Sequence, residues 1–333
     1  MKKIVNDPAD LVSESLAGLA AAHADLVELH TDPLFVTRRF GRPDKVAVVS
    51  GGGSGHEPLH AGFVGVGMLD AAVPGPVFTS PTPDAIAAAV AAVAGPAGVL
   101  ALVKNYTGDV LNFEMAAELV AAGGTPIDTV TIADDVAVAD STFTAGRRGV
   151  AGTVPIEKLV GAAAERGDAL PELAELARRL AGSTRSMGLA LRAGVVPHTG
   201  RESFPLAADE LEFGVGIHGE PGRETRGPGR ADELVDALLA AILTDGVVRG
   251  DQQGVLLFVN GLGGTPPAEL YLAYHSASRR LAEQGIDVTR SLVGTFVTSL
   301  DMQGISVTLL DLDAELLELW DAPVCTPALR KGM

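Results

Sequence analysis

Residues 45–58 read Lys45-Val46-Ala47-Val48-Val49-Ser50-Gly51-Gly52-Gly53-Ser54-Gly55-His56-Glu57-Pro58, and this stretch decides the fold. The β-branched run from Lys45 to Val49 predicts a buried strand that gives way abruptly to a glycine-rich loop. The same grammar returns further on. A strand over about 99 to 103 runs into Lys104-Asn105-Tyr106-Thr107-Gly108-Asp109, and an amphipathic helix continues to about Ala122. Thr125 to Ala133 is another strand, followed by the long segment Asp134 to Thr153 and by helices over roughly 155 to 181, interrupted near Gly167 to Pro171. Asp7-Pro8 has the pattern of an N-cap and first helical residue, so a surface helix opens the fold. This βαβα alternation implies a mostly parallel sheet covered by helices. Ligands of such sheets bind beyond the carboxyl ends of the strands, which puts the loops bearing His56 and Asp109 on one edge.

A second unit is expected from Ser186, with strands near 187 to 193, 211 to 217, 254 to 260, 290 to 298 and 305 to 310, and helices near 231 to 244 and 267 to 284. The expected architecture is therefore α/β in two domains: 1–185, and a smaller mixed α/β (α+β) domain over 186–333 whose C-terminal tail is a candidate to pack back on the first. Within the second, Glu212 to Gly222 (EFGVGIHGEPG) sets His218 among glycines. Alternation of Phe213, Val215 and Ile217 reads as a short strand with the imidazole at its tip. A turn with an incidental histidine is the plainer alternative. Pro221 to Arg230, rich in Gly, Pro and charge, reads as a mobile loop. Gly55-His56-Glu57-Pro58 and His218-Gly219-Glu220-Pro221 echo one another, a coincidence of loop chemistry.

Composition narrows the function classes. The 333 residues carry a formal charge of −17, which argues against nucleic acid or an anionic membrane as the main partner. Aromatic residues make up only 4%, so the core rests on Ala, Val and Leu. A single cysteine, Cys325, cannot form an intramolecular disulfide, and the N-terminus lacks the apolar core of a signal peptide; both favour the cytoplasm. Ala85 to Val103 carries no charge, but Gly95-Pro96 divides it into a helix and a strand, so it is not a membrane span.

The loop at 50–58 admits three motif readings, and each meets an objection. No Gly-Lys-Ser/Thr follows the glycines, which excludes a P-loop, and His56 stands where a dinucleotide fingerprint wants Gly or Ala. His56-Glu57-Pro58-Leu59-His60 matches H-E-x-x-H literally, yet Pro58 keeps His56 ahead of any helix and so off a shared zinc-binding face. His60 then reads as a satisfied helix histidine, and no metal is expected. A small-molecule pocket remains: the N–H groups of residues 53 to 55 can donate to a hydroxyl or carbonyl oxygen, and His56 can exchange a proton near neutral pH. Asp109, near a helix N-terminus, is either an acceptor for a ligand hydroxyl or an N-cap. Lys104 serves a substrate oxygen or a structural ion pair.

With these residues in view, the chain closely resembles the K-subunit family of bacterial dihydroxyacetone kinases, the dihydroxyacetone-binding subunits. The resemblance covers nearly the whole chain and is carried by SGGGSGHEP (50–58), FTSPTPD (78–84), KNYTGD (104–109), TAGRRGVAGT (144–153), EKLVGAAAERGD (157–168), EFGVGIHGEPG (212–222), TSLDMQG (298–304) and DAPVCTPAL (321–329). It implies that His218 adds through Nε2 to the ketone carbonyl of dihydroxyacetone to form a hemiaminal, with the substrate between the domains. By the same resemblance His56 hydrogen-bonds the substrate and acts in proton transfer, and Asp109 accepts the proton of the hydroxyl to be phosphorylated. Gly53, Ser54, Gly55 and Lys104 match substrate-contacting positions. No nucleotide site is legible in the chain, so Mg-ADP or Mg-ATP is expected on a separate L-type subunit, served directly by ATP or indirectly by a phosphotransferase-system M-type subunit. The resemblance also implies a homodimer. Two alternatives stand beside the kinase subunit: a non-catalytic ketose sensor or co-activator, and a kinase for another small ketose such as erythrulose.

Overall fold

The computed structural model describes residues 2–42, 44–139, 144–250 and 252–332. From the N-terminus the chain forms α1 (Leu11–Ala22), the hairpin of β1 (Val27–Thr31) and β2 (Leu34–Arg38), then β3 (Ala47–Ser54) and β4 (Ala71–Val77). Next come α2 (Pro83–Val93), β5 (Val99–Lys104), α3 (Thr107–Ala122), β6 (Ile127–Ile132), α4 (Thr153–Arg166) and α5 (Leu170–Ser183). A second series follows: β7 (Arg185–Arg192), β8 (Leu211–Phe213), β9 (Glu224–Arg226), α6 (Ala231–Thr244), β10 (Val255–Gly261), α7 (Pro267–Glu283), β11 (Val288–Gly294) and β12 (Gln303–Asp311). Last are α8 (Ala314–Asp321) and the short pair β13 (Val324–Cys325) and β14 (Arg330–Lys331).

Two compact units result, and neither is continuous in sequence. One holds the described residues of 2–132, 154–179 and 318–333; the other holds those of 133–153 and 180–317. The segment 133–153, expected in the first domain, thus groups with the second. Its residues 140–143, part of the long segment read from Asp134 to Thr153, lie outside the described residues.

The first unit is built on a six-stranded sheet of order β1-β2-β4-β3-β5-β6. β4, β3, β5 and β6 run parallel, and the β1–β2 hairpin adds antiparallel strands at one edge. The apolar runs of β3 and β5 are buried along their whole length, as parallel strands covered on both faces must be. Beneath α2 and α3, Val49, Val73, Ala89, Val90, Val103 and Phe113 belong to one core cluster. The chain leaves β3 to form β4 on one side and then crosses to form β5 on the other. The carboxyl end of β3 is therefore a topological switch point, where open α/β sheets leave a crevice. The C-terminal residues brace the loop beyond that crevice: the Cys325 N–H donates to Val66 O at 2.9 Å and the Ala328 N–H to Gly62 O at 2.9 Å.

The second unit has a six-stranded mixed sheet of order β11-β10-β12-β7-β8-β9, parallel only between β10 and β11. Leu238, Leu239 and Ile242 of α6 and Leu270, Ala277 and Leu281 of α7 pack with Leu257, Val259, Val307 and Leu309 in its core.

Three local expectations are corrected. α1 begins at Leu11, not Pro8, because Asp7 turns the chain first, its carboxylate accepting from the Ala9 N–H at 2.9 Å. β3 does not stop at Val49 but continues through the glycines to Ser54. β8 ends at Phe213, where Gly214 takes φ +79°; Val215 and Ile217 are buried beyond the strand, so the alternation belonged to a packed turn.

Candidate functional site

Why three glycines end β3 is answered by what surrounds them. Gly51, Gly52 and Gly53 pair with Val73, Pro74 and Gly75 of β4. A Cβ on Gly51 would lie 2.5 Å from Val73 O, and one on Gly52 would lie 2.3 Å from Lys104 Nζ and 3.2 Å from Asp109 Oδ2. Glycine here lets the Lys104 side chain of the neighbouring strand, and the first turn of α3, come against the backbone of β3. The expectation that His56 and Asp109 follow strand carboxyl ends of one sheet is met by β3 and β5.

Asp109 is the third residue of α3, whose N-cap is Tyr106 with no side-chain capping bond. The N-cap alternative therefore falls. Asp109 is only 3% exposed, and its Oδ1 has no hydrogen-bond partner among the described residues. Its Oδ2 lies 3.8 Å from Lys104 Nζ. A buried carboxylate oxygen without a donor costs free energy, about 1–3 kcal/mol, that a ligand hydroxyl would recover.

Lys104 is buried, and its ammonium side extends a chain of contacts. Nζ lies 2.8 Å from His60 Nε2 and 3.3 Å from Gly51 O. His60 Nδ1 lies 2.6 Å from Glu157 Oε1 on α4. Burial pushes the Glu157 carboxyl up to about 8, against the pull of the Lys104 charge. Burial likewise lowers the Lys104 ammonium, opposed by the charges of Asp109 and Glu157. Burial, with the charges of Lys104 and His56, holds His60 well below the ordinary imidazole value. His60 is not on an α-helix, contrary to expectation: residues 57–60 are turns, followed by a single 3-10 turn at Ala61–Phe63. The H-E-x-x-H spacing consequently has no shared helix face. Among the described residues, no group of three or more His, Cys, Asp or Glu is disposed to hold a metal ion.

His56 is 1% exposed and stacks on Phe78 at 5.3 Å between ring centroids. Phe78 holds φ +56°, an uncommon value for a non-glycine residue, and its N–H donates to Ser54 O at 2.9 Å. The Ser54 hydroxyl donates to Gly75 O at 2.7 Å. One expected donor is already engaged: the Gly55 N–H donates to the Glu57 carboxylate at 3.0 Å.

In the second unit His218 follows β8 on a tight turn. Its Nδ1 lies 2.9 Å from Glu220 Oε1, and its own N–H donates to Glu220 Oε2 at 2.9 Å. Burial alone would raise the Glu220 carboxyl, but the His218 hydrogen bond and the charges of His218 and Arg148 outweigh it and hold the group below its ordinary value. An ionised Glu220 accepts from Nδ1–H, so in the neutral imidazole the lone pair stands on Nε2. Arg148, fully buried, ties this turn down by donating to Asp135 Oδ2 at 2.7 Å and Gly214 O at 2.7 Å. Sequence reading quoted Glu220 and Arg148 but gave neither a role. The signal was present for Glu220, as an acid two residues beyond the histidine; none existed for Arg148, which sits 66 residues before Gly214.

The chain is similar to several known proteins. The dihydroxyacetone-binding subunit DhaK of the PEP-dependent dihydroxyacetone kinase of Escherichia coli is 51% identical, with all of both chains covered. The dihydroxyacetone kinase of C. freundii has a similar structure, with a TM-score of 0.88 at 34% identity over 99% of this chain and 60% of its own. A dihydroxyacetone kinase operon co-activator, DhaQ, is similar with a TM-score of 0.90 at 33% identity over 96% of this chain and 98% of its own. The Dak1 domain model matches residues 17–328, and the chain belongs to the Dak1 domain family.

Proposed function

We propose that this chain is the dihydroxyacetone-binding subunit of a dihydroxyacetone kinase and that it phosphorylates the ketone together with a nucleotide-carrying subunit. The observation that carries the reading is the buried Asp109 oxygen without a donor, an acceptor suited to a substrate hydroxyl. His218 Nε2 adds to the carbonyl carbon as the C=O π bond breaks; the oxygen takes a proton from His56 and becomes a hydroxyl, while Nδ1 gives its proton to Glu220, from which one returns through water to His56, so the adduct is a neutral hemiaminal. Capture of this kind selects a ketone over glycerol, which offers His218 nothing to attack. The held substrate then presents one primary hydroxyl. Asp109 takes its proton as the oxygen forms a bond to phosphorus and the donor's P–O bond breaks, with His56 exchanging protons with the substrate and Lys104, Gly53, Ser54 and Gly55 contacting it.

In this reading Mg-ADP or Mg-ATP belongs to the L-type partner, recharged through a phosphotransferase-system subunit or exchanged for ATP. The working form is a homodimer in the cytoplasm. Likeness to the DhaQ co-activator keeps one second reading in view, a ketose sensor that captures without transfer. Mixing the purified chain with its L subunit and a phosphoryl donor separates the two: consumption of dihydroxyacetone supports the kinase, whereas covalent capture without turnover supports the sensor. Substitution His218→Ala abolishes the adduct seen by mass spectrometry, and an unchanged adduct overturns the assignment. Comparing turnover of dihydroxyacetone and erythrulose identifies the ketose.

A further inference from the structure

Helix α3, which carries Asp109 in its first turn, presents two unlike faces. Asp109, Phe113 and Ala116 are buried, the last two in the core beneath the helix. On the other face Leu111, Met115 and Leu119 are 53%, 54% and 61% exposed. Their spacing of i, i+4 and i+8 sets them in one row about 12 Å long, beginning about half a turn beyond Asp109. They are three of the eight large hydrophobic side chains exposed among the described residues, a concentration rather than the usual scatter.

The charge beside the row is of one sign. Glu114 and Glu118 flank it and are exposed, as is Asp84 on α2, the helix packed against α3. From residue 46 to residue 146 the only Lys or Arg is Lys104, which is buried. A second copy docking α3 on α3 about a twofold axis would set Glu114 and Glu118 against their own counterparts, with no cation on α2 or α3 to offset them. A different protein can bring apolar side chains to the row and Lys or Arg to the two glutamates. The proposed reaction requires one at this edge, because the phosphoryl group must come within about 3–3.5 Å of the hydroxyl facing Asp109.

We propose that the face of α3 formed by Leu111, Met115 and Leu119 is the docking surface for the nucleotide-carrying subunit, which meets it with an apolar patch rimmed by Lys or Arg. This docking rests on the kinase reading and names the surface that serves it. Seating the carrier on the helix that holds Asp109 fixes the phosphoryl donor relative to the accepting hydroxyl, and Met115, unbranched and polarizable, adapts to the opposing surface. The homodimer leaves this face free.

Two full-length variants test it. One combines Leu111→Gln, Met115→Gln and Leu119→Gln; glutamine is close to leucine and methionine in helix propensity, so the fold is retained, as circular dichroism and the urea midpoint verify. The other combines Glu114→Lys and Glu118→Lys. In calorimetry with the L subunit carrying Mg-ADP, Kd of the glutamine variant rises at least about tenfold. The L-subunit concentration giving half-maximal turnover rises in step, while kcat at saturating L subunit and capture at His218 match the parent. In the lysine variant association at low salt slows about tenfold, and the parent's loss of association rate with added salt disappears. Sedimentation velocity shows the parent's oligomeric state in both. Parent-like affinity for the L subunit in the glutamine variant, or an unchanged salt dependence in the lysine variant, overturns the docking; if the glutamine variant also falls to a monomer, the face belongs to a second copy. A parent that neither binds the L subunit nor turns over dihydroxyacetone defeats the kinase reading and the docking with it, whereas an active parent equalled by its variants defeats the docking alone.

Discussion

At the scale of single residues, the two candidate chemical groups are distinguished by how their partners are arranged. Asp109 keeps one buried oxygen without a donor, so Asp109→Asn removes a base without disturbing a cap. Turnover is expected to fall by about 100-fold to 10,000-fold while the His218 adduct, followed by mass spectrometry, persists. For His218 the partner is the point. Glu220→Gln removes the charge facing Nδ1, and the rate of adduct formation is expected to drop by at least about tenfold; stopped-flow or quenched mass measurements follow it. The GHEP and HGEP echo also has a physical content. Each glutamate accepts the backbone N–H two residues before it, Gly55 for Glu57 and His218 for Glu220, so the likeness is a shared turn device.

At the scale of elements, α4 shows how context reverses a propensity. Alanine is about 1 kcal/mol better than glycine in a helix interior, and Gly18 on the exposed face of α1 has nothing within 4 Å of an added Cβ. Gly18→Ala is therefore expected to stabilise by about 0.4–1 kcal/mol in urea unfolding. On α4 the same change at Gly161 places a Cβ 2.4 Å from Met68 Cα and 2.6 Å from Met68 O. Backbone cannot swing aside as a side chain can, so Gly161→Ala is expected to destabilise by about 1–3 kcal/mol. Boundaries were hardest to read at this scale. α2, β5, α3, α6 and β10 stand close to where periodicity and Gly/Pro signals put them, but β1, β2 and β4 escaped notice: β4 carries two prolines and a glycine, a composition that reads locally as loop. β8 was overextended because Val215 and Ile217 are buried by the fold of a turn, and burial without a ladder leaves the same apolar trace.

At the scale of the whole molecule, buried ionisable groups tie stability to pH. Burial raises the Glu157 carboxyl in the folded state to about 8 from its ordinary value of 4.5. Between those values the folded chain holds a proton that the unfolded chain has lost, so its contribution is fully present below about pH 4.5 and disappears as pH rises through about 8. Relative to the parent, Glu157→Gln should gain unfolding free energy as pH rises from about 5 to 8, measured by denaturant titration at each pH. A constant difference across that range would show that Glu157 is ionised throughout.

Much of the molecule could be read from local order. The alternating strands and helices and the polar loop after β5 follow from periodicity and from residues that break it, because those signals act between near neighbours in the chain; the glycines read as a loop after Val49 belong to β3 itself. His56, Asp109, Lys104 and His218 were legible as candidates for the same reason: Lys104 ends β5, Asp109 stands in the first turn of the helix after it, and His56 and His218 stand on turns just past β3 and β8. Tertiary structure alone decided what these side chains face. Lys104 meets His60 across 44 residues and His60 meets Glu157 across 97, and no local pattern encodes contacts at that range. Whether Asp109 caps its helix and why β3 needs glycine at Gly52 both depend on atoms brought together by packing, and only the folded chain has those atoms in place.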